Sequence, residues 1–372
     1  MRRTSAIALL SLVFCACSDT HAQQPQDDRS ASQVTPAVTP MRTQGLIETE
    51  RNTIAVFEAA APATVFVTQK SYQQNPYTRQ LIEVESGTGS GFLWDDQGHV
   101  VTNYHVVNGG RRFEVSLQGG NTYAAEFVGG DPTKDIAVLK LRASDDATFI
   151  PIRLPASQNT PLQVGQKAIA IGNPFGLDHT LTSGVVSATD REVKGFSGLP
   201  IKGMVQTDAS INPGNSGGPL LNSRGELIGM NTMIFSQSGG SAGIGFAVPV
   251  NTIRRIVPQL IDNGRVTQVG IGVQLVDQRV ARWRRIKGVI IGDVIAGSPA
   301  AEAGLVGIRQ DNRGQIYLGD VIIGVEGQNV VNYDDLYIVL DGRRPGETVT
   351  LLIERDNQRR EVALKLYEIP SK

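Results

Sequence analysis

Short apolar runs, rich in Val and Ile and bounded by Gly, Asn, Asp or Pro, recur from residue 64 to residue 249. Such runs read as β-strands separated by turns. Twelve are predicted, at 64–68, 91–94, 99–102, 113–117, 124–128, 136–141, 168–171, 181–187, 204–207, 219–221, 227–233 and 243–249. Turn sequences such as Asp95-Asp96-Gln97-Gly98 and Asn222-Ser223-Arg224-Gly225 lie between them. A dozen short strands without interleaved helices point to β-barrels and away from a βαβ sheet.

The flanks follow other periods. Ile47, Ile54 and Phe57 recur at helical spacing within 46–60, and Pro62 closes that helix. Residues 253–261 form an amphipathic helix with Asp262-Asn263-Gly264 as its stop. Beyond it, strands at 269–275, 288–294, 320–325 and 349–354 and helices at 298–303 and 333–340 make a mixed α+β module of about 100 residues. At the other end, Arg2 and Arg3 precede an apolar run over 6–16, the layout of a secretory signal and too short to span a bilayer. Two processing sites compete. Thr20-His21-Ala22 offers small residues to a signal peptidase and would release a soluble exported protein, whereas Phe14-Cys15-Ala16-Cys17 approximates a lipoprotein box that would anchor Cys17 to lipid. Residues 23–45 are polar and aperiodic, a flexible linker. The expected plan is a signal peptide at 1–22, the linker at 23–45, a catalytic domain at 46–262 and a C-terminal domain at 266–372.

Composition narrows the chemistry. Across 372 residues, 35 basic side chains face 36 acidic ones, so the net charge of -1 gives no general electrostatic reason to seek nucleic acid or an anionic membrane. The two cysteines, Cys15 and Cys17, both precede the linker, which excludes disulfides, Cys-ligated zinc, iron–sulfur clusters and thiol catalysis downstream. Only His21, His99, His105 and His179 can supply an imidazole.

The sharpest motif is Asn212-Pro213-Gly214-Asn215-Ser216-Gly217-Gly218-Pro219. Glycines around Ser216 permit a tight turn and bring bare N–H groups beside the hydroxyl, as an acyl-transfer oxyanion requires. The same letters satisfy Gly-x-Ser-x-Gly, but the fold that uses that elbow places its histidine after the serine, and no histidine follows Ser216. An Asp, His, Ser order needs an α/β pattern, which is absent. The remaining order is His, Asp, Ser. His105 follows the strand end Val100-Val101-Thr102, where a base is held rigidly, while His99 adjoins a turn and His179 sits in a loop. Asp135, just before Ile136-Ala137-Val138-Leu139-Lys140-Leu141, is the acid of the ordered set; taken singly it reads equally as a turn-capping aspartate, like Asp131. No metal motif is present, and this chemistry needs no cofactor.

With Ser86-Gly87-Thr88-Gly89-Ser90-Gly91-Phe92, Thr102-Asn103-Tyr104-His105-Val106-Val107, Asp135-Ile136-Ala137-Val138-Leu139, Ala170-Ile171-Gly172-Asn173-Pro174-Phe175-Gly176, the stretch from Gln206 through Ser216 to Pro219, and Gly243-Ile244-Gly245-Phe246-Ala247-Val248-Pro249, the chain resembles the HtrA/Deg family of trypsin-like serine proteases over nearly all of residues 46–370. The resemblance implies a mainly β fold, a chymotrypsin-like double β-barrel followed by an α+β PDZ domain. It implies His105 as general base, Asp135 as its orienter, Ser216 as nucleophile, the backbone N–H groups of Gly214 and Ser216 as oxyanion hole, and Ile211 and Thr232 as substrate-binding residues. Loops at Phe175, 191–203 and 234–242 switch between inactive and active arrangements in that family.

Gly297-Ser298-Pro299-Ala300-Ala301-Glu302-Ala303-Gly304-Leu305 and Leu318-Gly319-Asp320-Val321-Ile322 carry the PDZ likeness, with Ile271-Gly272-Val273 where the carboxylate-binding loop lies. Trp94, Gln97-Gly98-His99, Asp178-His179 and the insert at 307–317 look most like single-PDZ Deg proteases of photosynthetic lineages and related bacteria. The implied protein is a periplasmic, ATP-independent serine endopeptidase acting on unfolded or misfolded chains, with C-terminal peptides at its PDZ domain and a homotrimer, or a multiple of trimers, as its assembly. Two rivals are a chaperone or peptide sensor with a dormant triad and a small-molecule esterase. Hydrolysis of an unfolded protein separates them.

Overall fold

The computed structural model describes residues 45–74, 77–157, 161–176, 178–234 and 243–369. The signal-peptide and linker readings over 1–44, with the lipidation site at Cys17, lie outside those residues, as do 235–242.

Two closed, antiparallel six-stranded barrels follow an N-terminal helix, α1 (Glu48–Ala60). The first comprises β1 (Thr64–Gln74), β2 (Leu81–Leu93), β3 (His99–Thr102), β4 (Arg112–Ser116), β5 (Thr122–Asp131) and β6 (Ile136–Leu141), in the order β1-β2-β3-β6-β5-β4. The second comprises β7 (Lys167–Gly172), β8 (Thr180–Lys194), β9 (Pro200–Thr207), β10 (Pro219–Leu221), β11 (Leu227–Ile234) and β12 (Gly245–Pro249), in the order β10-β11-β12-β9-β8-β7. Closure leaves neither sheet with an open edge. All twelve expected strands are present, several extending beyond their apolar cores into polar residues that the hydrophobic pattern does not register.

Alternation explains why the central strands read as continuous apolar runs. In β6, Ala137 and Leu139 fill the first barrel, while Ile136 and Val138 turn outward into the seam between barrels. In β7, Ala168 and Ala170 fill the second barrel and Ile169 and Ile171 enter the same seam. The seam is closed by α1 and by α3 (Val250–Asn263), whose Ile253, Ile256, Val257 and Leu260 are fully buried. Each such side chain contributes about 1.5–3 kcal/mol of burial. Gly264 ends α3 at φ +70°, its N–H donating to the Leu260 carbonyl at 2.9 Å. A single helical turn, α2 (Tyr104–Val107), breaks out between β3 and β4.

The C-terminal module has its own core, around Ile291, Ile322, Leu351 and Ile353. The strand expected at 269–275 is instead two. β13 (Val269–Gly270) pairs with β22 (Tyr367–Glu368), and β14 (Val273–Leu275) pairs with β15 (Val289–Val294). The break falls at Gly272, at φ +91°, where a Cβ would stand 2.3 Å from that of Ser298. Between β14 and β15 lies α4 (Gln278–Trp283), and after β15 come α5 (Pro299–Glu302) and the hairpin of β16 (Arg309–Gln310) and β17 (Ile316–Tyr317). There follow β18 (Val321–Val325), β19 (Gln328–Asn329), α6 (Tyr333–Leu340), β20 (Thr348–Arg355) and β21 (Gln358–Lys365). The sheet runs β14-β15-β18-β20-β21, with β19 paired to β18. The strand β21 escapes the apolar pattern because Gln358-Arg359-Arg360-Glu361 is exposed and only Val362 and Leu364 reach the core. Among the described residues no helix is long and apolar enough to cross a membrane.

Because Ile256 is wholly enclosed at the seam, Ile256→Ala should cost about 2–5 kcal/mol of stability. Urea unfolding checks this; a loss under 1 kcal/mol would show that the seam collapses freely around the deletion.

Candidate active site

The strand β3 ends at Thr102 and Asn103 follows as the N-cap of α2, both with no exposed surface, so the short helix starts from a fixed point and presents His105 at the seam. Asp135 reaches it from the neighbouring strand, just before β6. Its backbone is left-handed, φ +57°, a conformation that costs a non-glycine residue about 1 kcal/mol. Hydrogen bonds hold it there. The Asp135 carbonyl accepts from Asn103 Nδ2 at 3.1 Å and from the Tyr104 N–H at 3.2 Å. Its carboxylate Oδ1 accepts from the His105 N–H at 2.9 Å, and Oδ2 accepts from Thr232 Oγ1 at 2.6 Å. The same Oδ2 lies 2.8 Å from His105 Nδ1, so a proton on Nδ1 faces the carboxylate and Nε2 keeps its lone pair.

Ser216 approaches from the second barrel on a loop stitched to the first. The Ser90 N–H donates to the Ser216 carbonyl at 2.8 Å, and Ser90 Oγ donates to the Gly214 carbonyl at 2.6 Å while accepting from the Asn173 N–H at 2.8 Å. Gly217, at φ +84°, lies so close that a Cβ would fall 2.2 Å from the Ser90 carbonyl and 3.2 Å from the Asn103 nitrogen. Only glycine lets the serine loop sit against the strand end that carries His105. The amides of Gly214 and Ser216 donate to no acceptor among the described residues, and neither does the Ser216 hydroxyl hydrogen-bond to His105. The Phe196 ring, from the β8–β9 turn, stands 6.2 Å from the His105 ring.

The remaining candidates are placed as follows. Ile211 is 1% exposed, packed in the second barrel beneath Gly245. Thr232 is buried, with its hydroxyl on Asp135. Asp131 folds its carboxylate onto Thr133, N–H and hydroxyl, as a turn former. His99 pairs with Asp95 at 2.6 Å and His179 with the Thr64 carbonyl at 2.8 Å. His21 lies outside the described residues. Among those residues no three His, Cys, Asp or Glu side chains are grouped to hold a metal ion.

Sequence reasoning missed the supporting shell. Ser90 lay within a quoted motif without a role. Lys134, next to Asp135, is 3% exposed at its side chain and pairs with Asp341 of the C-terminal module at 2.7 Å; its ammonium also sits over the Tyr337 ring. Tyr337 donates to Thr133 Oγ1 at 2.8 Å, and burial pushes its phenol far above the usual range, which keeps it a donor. In that module Ile271, Val273 and Leu275 face Leu336 and Leu340 of α6 across a groove of about 490 Å³, beside the open edge of β14. The carbonyls of Ile271 and Gly272 are taken by Ala300 and Ile295, whereas their amides have no backbone acceptor among the described residues.

Residues 89–230 match the trypsin-like peptidase domain family and residues 269–366 the PDZ domain family. The chain is 43% identical over 323 residues to Protease Do-like 1, chloroplastic, of Arabidopsis thaliana, covering 86% of this chain and 73% of that protein. The chain belongs to the HtrA/Deg family of trypsin-like serine proteases. Its fold is therefore the chymotrypsin-like double barrel followed by a PDZ domain, and it is a serine endopeptidase. A probable periplasmic serine endoprotease DegP-like from Chlamydia trachomatis is 40% identical over 304 residues, 80% of this HtrA/Deg chain and 56% of that protein. Among solved structures, HtrA-type protease AlgW with decapeptide superposes at TM-score 0.65 and 30% identity, covering 86% of this chain and 99% of that one. The serine endoprotease from Yersinia pestis does so at 0.59 and 32%, covering 86% and 98%.

Loss of the Thr232 hydroxyl leaves the Asp135 carboxylate one donor short. Thr232→Val should lower kcat about 10- to 100-fold with little change in KM, and Thr232→Ser should restore it. Steady-state kinetics on a peptide substrate tests this; unchanged kcat in the valine variant would remove Thr232 from the positioning network.

Proposed function

We propose that this HtrA/Deg protease is an exported, ATP-independent endopeptidase of extracytoplasmic protein quality control that cleaves unfolded or misfolded chains. One arrangement carries the reading: a buried Asp135 fixes the His105 ring at the barrel seam, and the other barrel presents Ser216 to that seam beside two unused amides. Ser216 Oγ attacks the scissile carbonyl carbon as His105 Nε2 takes its proton. The Gly214 and Ser216 amides receive the charge that develops on the carbonyl oxygen. His105 then gives the proton to the leaving amine, and water repeats the sequence on the acyl-enzyme, releasing the acid and restoring Ser216. Asp135 stabilises the imidazolium in both halves. Free catalysts often hold the serine and histidine apart and tighten on substrate, which accommodates the open Ser216 to His105 contact. That open contact is also what a dormant, peptide-binding chaperone would show.

The reading assigns the protease domain to 46–262 and the PDZ domain to 266–372, with 1–22 removed on export to the periplasm and 23–45 as tether. Cleavage before Cys17 with lipid attachment is the alternative mature form. Assembly as a homotrimer or a multiple of trimers follows from family likeness. Ile211 as an apolar substrate-binding residue would favour small aliphatic P1 residues.

Ser216→Ala and His105→Ala should each lower turnover of denatured casein by about 10⁴ or more, since the triad acts as a unit, and Asp135→Asn should approach that through the wrong tautomer. Mass spectrometry of the wild-type digest should find cuts after Val, Ala or Ile. Casein left intact by the wild type, at any temperature that preserves its fold, would favour the chaperone.

The PDZ groove should bind peptides ending in a free carboxylate on an apolar residue, the carboxylate seated at the Ile271 and Gly272 amides and the backbone added to β14. Calorimetry of the full chain with such a peptide should give an affinity on the order of micromolar, about -8 kcal/mol. Equal affinity for its C-terminally amidated twin would mean that the loop reads no carboxylate.

A further inference from the structure

The near-neutral total charge conceals one arginine-rich cleft. Arg254 and Arg255 of α3 and Arg343 and Arg344 of the turn after α6 line a cavity of about 920 Å³. Two of these guanidinium groups come from the protease domain and two from the PDZ domain. Among the described residues, Arg254 and Arg344 have no carboxylate within ion-pair distance, and Arg254 is held by donating to the Pro155 carbonyl. Arg255 stands 3.7 Å from Asp341, whose other oxygen is already 2.7 Å from Lys134, so one carboxylate cannot neutralise both cations. Arg343 reaches Glu347 only at 3.7 Å and Glu326 at 4.0 Å. The acidic residue of the lining, Glu368, faces Arg265 at 3.6 Å.

Four guanidinium groups gathered this way repel one another, and a multiply charged anion relieves the repulsion. A guanidinium presents paired N–H donors that match phosphate oxygens. Asn251, Gln259 and Thr267 add neutral polar groups to the wall. No aromatic side chain lines the cleft, so a nucleobase finds no face to stack on. We propose that this cleft binds a base-free oligophosphate anion, clasped between the two arginines of α3 and the two after α6, so that the anion ties the protease and PDZ domains together.

Calorimetry of the full chain with inorganic tripolyphosphate tests the site. One-to-one binding at low salt is expected, weakening as NaCl rises. The double variant Arg254→Gln with Arg344→Gln should bind roughly tenfold more weakly or worse, and Arg344→Gln alone, at an exposed position, should already lose about threefold. Arg279→Gln, whose guanidinium is satisfied by Asp277 at 2.6 Å, should bind as wild type. ATP should bind no more tightly than tripolyphosphate. Phosphatidylglycerol vesicles should retain wild type and double variant alike, which separates a free oligophosphate from phosphate on a lipid surface. Absence of binding at millimolar tripolyphosphate, or equal losses in Arg279→Gln and the double variant, would overturn the site. ATP binding tenfold tighter, or vesicle retention lost in the double variant, would overturn the choice of ligand.

Discussion

A carboxylate with 1% of its residue exposed has to be given hydrogen-bond donors, and at Asp135 they come from both barrels. His105, from the first, serves Oδ1 with its amide and faces Oδ2 with its ring, Thr232, from the second, serves Oδ2 with its hydroxyl, and Asn103 donates to the Asp135 main-chain carbonyl. An unmatched buried charge costs several kcal/mol, and the full set of donors to the Asp135 carboxylate needs both barrels in contact. Asp135, in contact with both His105 and Thr232, thus joins the two barrels. The left-handed backbone of Asp135 belongs to the same constraint, because it turns carbonyl and carboxylate together toward the strand end at Asn103.

The serine loop obeys a related rule. Its position follows from Ser90, a first-barrel residue whose hydroxyl serves the Gly214 carbonyl and the Asn173 amide at once, and whose amide serves the Ser216 carbonyl. The carbonyls of Gly214 and Ser216 are occupied in this way, while their N–H groups have no acceptor among the described residues. Gly217 permits the approach by having no side chain. The serine loop is therefore positioned by first-barrel residues.

What the sequence made legible follows from how each feature is encoded. Strands buried on both sides, such as β6 and β7, announce themselves as unbroken apolar runs, and Ser216 and His105 are confined by chain order and by the scarcity of histidine. Asp135 and Asp131 both stand at the same turn, and what separates them in space is the group each carboxylate faces, His105 for Asp135 and Thr133 for Asp131. Strand β21 was hidden because its exposed half is charged, and the break at Gly272 because nothing local reports the nearness of Ser298, 26 residues on. Lys134 reads as an ordinary surface lysine until a second domain covers it. Long-range partners leave no periodic trace.

That covering has a mechanical consequence. Lys134 is a nearly buried cation, and a charge so placed must keep its counter-charge, which is Asp341 at the C-terminal end of α6. Its neighbour Thr133 accepts from Tyr337 on the same helix. The helix that walls the PDZ groove with Leu336 and Leu340 is therefore tied at two points to the four-residue turn that ends in Asp135. Removing Asp341 alone would strand the ammonium, whereas removing both charges would leave only a polar contact to break. A displacement of α6 that kept both ties would have to carry the turn with it, and the turn's last residue is the one that orients His105. Because the Asp135 carbonyl and carboxylate are fixed by donors within the barrels, the turn resists such movement, and the groove wall inherits its rigidity from the catalytic seam.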